Sequence, residues 1–284
     1  MRAGADGLSP APYVKDILSQ NFLSLPSNVG TRSTFFSQSM SRALLHESVL
    51  YLLRAMSQMV SYEAVYTKHQ FSWALVTLYY SNYFSALSMN RLAGRAISTT
   101  NGRSYDITAD TIQSNFFIER ITANNHISVW STNYSLYASF NWQDSSYDGT
   151  LIKVNIGSQD HYERKSREFI NYHPDSYKEL LQSKSRENLI SFFGKYYNSS
   201  PSTVMLLPFT NDMEKVVANL ECRAVGRQVI VLRILREVFN ILQPTSKKIV
   251  SQYFSGFSKN IMSRPPFNSK LKIVFQELIK DFLY

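Results

Sequence analysis

Apolar residues recur at three- and four-residue steps through residues 41–61. Leu45, Val49, Leu52, Leu53, Met56 and Val60 fall on one face, which predicts an amphipathic helix. Residues 62–70, with Glu63, Lys68 and His69, are more polar and read as a link. Residues 71–92 are apolar or aromatic almost all round, with Trp73, Leu75, Leu78, Tyr79, Tyr80, Tyr83, Phe84, Leu87 and Met89. Such a helix belongs at the centre of a bundle, and Gly94 follows it as a C-cap. Its interspersed Ser72, Thr77, Ser81, Asn82, Ser85 and Ser88 argue against a membrane span, which needs about 20 mainly apolar residues.

The pattern changes over residues 95–158. Segments 116–122, 126–131, 135–142 and 151–156 are short, rich in β-branched and aromatic residues, and separated by Asn, Asp, Ser and Gly. They predict a small antiparallel sheet inserted between helices. Helical periodicity returns at 160–171. Pro174, in the first-turn position it favours, opens a helix over 174–183, and 185–197 follows. A long amphipathic segment spans 211–242 and stops before Pro244; helices over 247–254 and 270–283 complete the chain. Residues 1–38, rich in Ser, Pro, Gly and Asn, read as an irregular arm with one short helix at 13–19.

The expected fold is therefore mainly α, a helical bundle with a small inserted antiparallel sheet. Three regions are expected: the arm (1–38), a helical domain with the β insertion (39–200), and a helical, basic C-terminal extension (201–284). Hydrophobic residues make up 44% of the 284 and charged residues 18%, enough apolar material for a sizeable core. The lone cysteine, Cys222, permits no disulfide within the chain and no cysteine-based zinc site, and it suits a reducing, cytoplasmic compartment. The N-terminal residues carry no apolar core of the signal-peptide kind.

The formal net charge is +9. That suits an anionic partner or simply solubility. Its distribution is uneven: from Pro244 to Tyr284 seven Lys and Arg face two acidic residues, over half of the net charge. Lys247, Lys248, Lys259 and Arg264 alternate there with Tyr253, Phe254, Phe257 and Phe267. Such a pattern either holds a phosphate backbone and stacks bases or is a subdomain whose aromatics are core. Arg223, Arg227, Arg233 and Arg236, with Glu221 and Glu237 nearby, read as a solvated helix face.

Phosphate-binding Gly-rich loops, dinucleotide fingerprints, nucleophile elbows and HExxH pairs are all absent from the sequence. No metal or cofactor is expected. The positive signal is Arg167-Glu168-Phe169-Ile170-Asn171-Tyr172-His173. A histidine moves protons near neutral pH, and an arginine offers a permanently charged fork to a phosphate. Together they cleave RNA without a metal, with Asn171 as an orienting group. The plainer reading is a capping His and a surface Arg. A second pair at the same spacing, Arg120 and His126, falls in the strand-like insertion, where alternation separates the two side chains. It reads as coincidence, with a nucleic-acid contact as the alternative.

The helix from Trp73 to Leu87, followed by Gly94 and then by Arg167…His173, resembles HEPN domains, helical-bundle proteins of toxin–antitoxin and antiviral systems. The resemblance covers about residues 40–198. It implies a metal-independent RNase, acting as a toxin or defence effector, with Arg167, His173 and Asn171 catalytic and a homodimer as the assembly. Glu168 directly after the arginine and the break at Pro174 depart from the family pattern, and either suits a fold retained with altered catalysis. The rival reading is a non-catalytic binding subunit of a larger nucleic-acid-associated assembly.

Overall fold

The computed structural model describes residues 12–67, 70–110, 115–122, 125–139, 162–172, 213–262 and 270–283. Within them the chain is mainly helical with one four-stranded antiparallel sheet, as the sequence implied. The helices are α1 (Val14–Gln20), α2 (Gln38–Thr67), α3 (Phe71–Leu92), α4 (Asn125–Ser139), α5 (Tyr162–Tyr172), α6 (Met213–Ile241), α7 (Pro244–Phe257) and α8 (Lys270–Ile279). The strands are β1 (Arg32–Phe36), β2 (Arg95–Thr100), β3 (Arg103–Ala109) and β4 (Asn115–Ile121), in spatial order β1-β4-β3-β2.

Helices α2 and α3 form an antiparallel hairpin at the centre. Small polar residues let their backbones approach. The Ser48 hydroxyl donates to the Ser88 carbonyl at 3.0 Å, and Ser88 returns a bond of 2.8 Å to the Ser48 carbonyl. Two turns along the same face, Ser81 donates to the carbonyl of Ala55 at 2.9 Å. Ser81 and Ser88, two of the residues that argued against a membrane span, thus line the seam of the hairpin, and no helix among the described residues is long and apolar enough to cross a membrane. Around the seam, Val49, Leu52, Met56, Leu75 and Leu78 pack with Val225, Val229, Leu232 and Leu235 of α6.

Four expectations are corrected. Residues 62–67, read as part of a link, continue α2, and buried Tyr62 donates its hydroxyl to Glu221 Oε1 at 2.5 Å. Trp73, expected in the core, is 69% exposed and lies on the side of α3 opposite the core, while Ala74 and Leu75 beside it are fully buried. Segments 126–131 and 135–142 were expected as strands. In the structure, residues 125–139 are the helix α4; Val129, Trp130, Asn133 and Tyr134 repeat at helical spacing and bury against α3, which overrides their β-branched and aromatic composition. The 1–38 segment is no irregular arm where described: it supplies α1, close to the expected 13–19 helix, and β1. The expected elements 151–156, 174–183 and 185–197 lie outside the described residues.

The sheet buries Tyr105, Ile107, Phe116 and Ile118 against Val14, Ile17 and Leu18 of α1 and Met40 and Leu44 of α2. Gly94 turns the chain from α3 into β2 at φ +73; a Cβ there would lie 2.6 Å from that of Ala109. Asn101 and Gly102, both at positive φ, close the β2–β3 hairpin as such pairs do. A buried carboxylate ties the layers together. Glu47 pairs with Arg91 at 3.0 Å and accepts the Val14 backbone N–H at 2.8 Å, fastening α1 to the hairpin.

Pro244 begins α7 at its first turn. Phe254 stacks on Phe282 with centroids 4.4 Å apart, and Phe257 is buried. Of the two readings of the tail aromatics, core packing holds for both. Tyr253 reaches back to α2, where its hydroxyl and His46 Nδ1 are 3.1 Å apart.

Candidate functional site

The site begins with the anchoring of α5. Glu163, in its first turn, is wholly buried. Its Oε1 lies 3.0 Å from Arg223 Nη1 and 2.6 Å from Arg227 Nη2 of α6, and its Oε2 accepts the hydroxyl of Tyr134. Arg227 also donates to Asn82 Oδ1 of α3 at 2.8 Å and lies over the Trp130 ring. Arg223 and Arg227 are therefore no solvated face; with no exposed surface, both pair with the Glu163 carboxylate, which offsets the cost of burying them. Burial by itself would raise the Glu163 pKa. The charges of Arg227 and Arg223 and the Tyr134 hydrogen bond outweigh it and hold the group at about 2. Burial, with Glu163 next, pushes Tyr134 far above the usual phenol range.

Arg167 stands one turn beyond Glu163, on the same side of α5. It is half-buried, with its guanidinium carbon 5.5 Å from the centre of the Tyr79 ring. His126, at the start of α4, meets the same tyrosine. Its Nδ1 is 3.1 Å from the Tyr79 hydroxyl, and its ring stacks on Tyr83 at 4.5 Å. Trp130 Nε1 donates to the Tyr79 oxygen at 3.5 Å. Burial first, then the Arg167 charge, lowers the His126 pKa from 6.5, so the imidazole is neutral at pH 7. Burial raises that of Tyr79, which keeps its proton.

Among the described residues, the histidine brought near Arg167 is His126. His126 heads a helix rather than lying in a strand, and the partner on its side is Arg167, not Arg120. The Arg120–His126 spacing reads as coincidence in the sequence, and it carries no signal for the meeting of His126 with Arg167. His173 and Arg264 lie outside the described residues. Asn171 falls in the last turn of α5.

The basic candidates Lys247 and Lys248 lie on α7, and Lys259 on the π-helical turn that extends it. All three border one groove of about 650 Å³. Among the described residues no group of three or more His, Cys, Asp or Glu could hold a metal ion. No family model, curated protein or solved structure matches the chain.

Proposed function

We propose that this protein is a metal-independent endoribonuclease, with Arg167 binding the scissile phosphate and His126 handling the proton. The observation that carries this reading is the convergence of Arg167 and His126 on the single ring of Tyr79. With Nδ1–H given to the Tyr79 oxygen, His126 Nε2 holds the free lone pair. It removes the proton of a ribose 2′-hydroxyl. The 2′ oxygen then bonds to phosphorus as the P–O5′ bond breaks, leaving a 2′,3′-cyclic phosphate and a 5′-hydroxyl. Arg167 offsets the charge that develops on the phosphoryl oxygens, the usual largest contribution in such sites. His173, five residues beyond Arg167's neighbour Glu168, is the candidate for returning a proton to the leaving oxygen. The HEPN resemblance supports the same class and with it a homodimeric toxin or defence effector.

The test is incubation of the purified protein with total RNA in EDTA. Cleavage by the native chain, lost in both Arg167→Ala and His126→Ala while the fold is kept, supports the reading. Native levels of cleavage in both variants would overturn the site. The competing reading, a non-catalytic binding subunit, draws on exposed Trp73 and Phe36, 69% and 64% accessible; absence of any cleavage in EDTA favours it.

A further inference from the structure

The face of α7 turned towards its groove carries an unusual set of residues. Lys247, Lys248, Ser251, Ser255, Gly256 and Lys259 border it, at helical steps of three and four. The ammonium groups begin at one end and resume at the other, and the middle is floored by small residues. At 1.5 Å per residue the cationic row runs about 18 Å. That is too long for a single phosphate and fits several in succession. No acidic residue occurs in the sequence between Glu237 and Glu277, and Lys247 also donates to the Asn240 carbonyl at 3.0 Å.

Ser251 adds an independent observation. It is only 6% exposed, and its hydroxyl has no hydrogen-bond partner among the described residues. A helical serine ordinarily satisfies its hydroxyl on the carbonyl four residues back, as Ser19, Ser61 and Ser85 do here. A buried, unsatisfied hydroxyl costs stability. At Ser251 it borders the groove between the lysines, where a phosphoryl oxygen would accept its proton. The α7 residues bordering the groove include no aromatic ring, so this face offers nothing for a base to stack on.

We propose that the α7 groove binds the sugar–phosphate backbone of single-stranded RNA without reading its sequence, Lys247, Lys248 and Lys259 supplying charge and Ser251 a directed hydrogen bond. The choice of RNA as the polyanion rests on the nuclease reading above. The groove itself rests on α7 alone. It is a holding site separate from Arg167, so binding and cleavage are separable properties of the chain.

The experiment uses the full chain and a labelled 2′-O-methyl oligouridine, which lacks the attacking hydroxyl, in EDTA over a series of salt concentrations. Each phosphate neutralised contributes about 0.7 to the log–log slope on a single strand. The variant Lys247→Ala, Lys248→Ala, Lys259→Ala should flatten that slope by up to about 2 units. Ser251→Ala should weaken binding about tenfold, a charged hydrogen bond's worth, with the slope unchanged because no charge is lost. Exposed Lys248→Glu gives a folded alternative should the triple variant melt early, and it too should flatten the slope. Equal slopes for the native protein, a folded triple variant and Lys248→Glu overturn the groove, whatever the cleavage assay shows. A flattened slope in a protein that never cleaves RNA supports the groove and defeats the nuclease reading. Loss of RNA from the groove to equimolar mononucleotide would overturn the backbone assignment in favour of a nucleotide pocket.

Discussion

Glu163 and Arg227, 64 positions apart in the sequence, meet at 2.6 Å with neither side chain touching solvent. Arg223 shares the same carboxylate oxygen. Breaking a buried pair by removing one partner strands the other charge, at a cost of about 3–5 kcal/mol. Glu163→Gln is expected to lose stability on that scale, read as the shift in urea midpoint multiplied by the denaturant slope. A loss below about 1 kcal/mol would show that the two guanidiniums find another anion.

The same carboxylate gives an acid dependence. Its pKa falls from 4.5 to about 2 on folding, so the unfolded chain takes up the proton more readily. The stabilisation is complete above pH 4.5 and is lost as pH drops from there through 2. His46, lowered from 6.5 by burial against a smaller opposing effect of Glu47, and His126, lowered by burial and the Arg167 charge, should together produce a separate, earlier decline beginning below pH 6.5. Urea unfolding at half-unit pH intervals should show both declines in the native protein, with the lower one missing in Glu163→Gln.

Arg167 and His126 are coupled electrostatically. Arg167→Ala removes one of the two causes that lower the histidine and leaves burial in place. The His126 pKa should rise yet stay below 6.5, measured by the chemical shift of its ring protons. If His126 is the base, RNA cleavage by the native chain rises with pH through its lowered pKa. A histidine signal unmoved by Arg167→Ala would mean that the two are not neighbours in solution.

Exposure separates two aromatic residues of α3. Phe84 is 8% exposed and Trp73 69%. Phe84→Ala should cost about 3–5 kcal/mol, whereas Trp73→Ala should stay within about 0.5 kcal/mol. Melting temperatures of the two variants check this directly. A large loss at Trp73 would reveal a contact made by its exposed ring.

Gly94→Ala should destabilise by more than about 1 kcal/mol, because alanine resists the left-handed backbone and its Cβ would collide with Ala109 at 2.6 Å. Ala109→Gly in the same chain should recover part of the loss, leaving the backbone penalty. No recovery in that double variant would place the whole cost in φ.

The helical hairpin was legible because α2 and α3 carry long, regular apolar faces. The C-cap at Gly94 and the start at Pro244 were legible because those residue types have few other uses. The β2–β3 hairpin was missed although Asn101-Gly102 marks it; the flanking Arg95–Thr100 is too polar to announce a strand, since one of its faces is open. Helix α4 was not legible because β-branched and aromatic composition masks the helical spacing of Val129, Trp130 and Tyr134. Arg223 and Arg227 looked solvated because the acid that pairs with both lies some sixty residues upstream, and no local pattern carries that information. His126 was visible as a residue; its meeting with Tyr79 and Arg167 joins three separate helices, which no spacing along the chain encodes.

The sheet imposes an order on folding. Its edge strand β1 precedes α2, while its neighbour β4 follows β3, and Phe35 pairs with Phe116 across the whole helical hairpin. The β2–β3–β4 meander needs only short turns and can close early. Docking β1 means closing a loop of some eighty residues, and such distant pairings slow the search. During synthesis, Arg32–Phe36 leaves the ribosome well before its partner strand exists and must wait, unpaired, until β4 emerges. The α2–α3 hairpin, assembled in the interval, brings the two ends together.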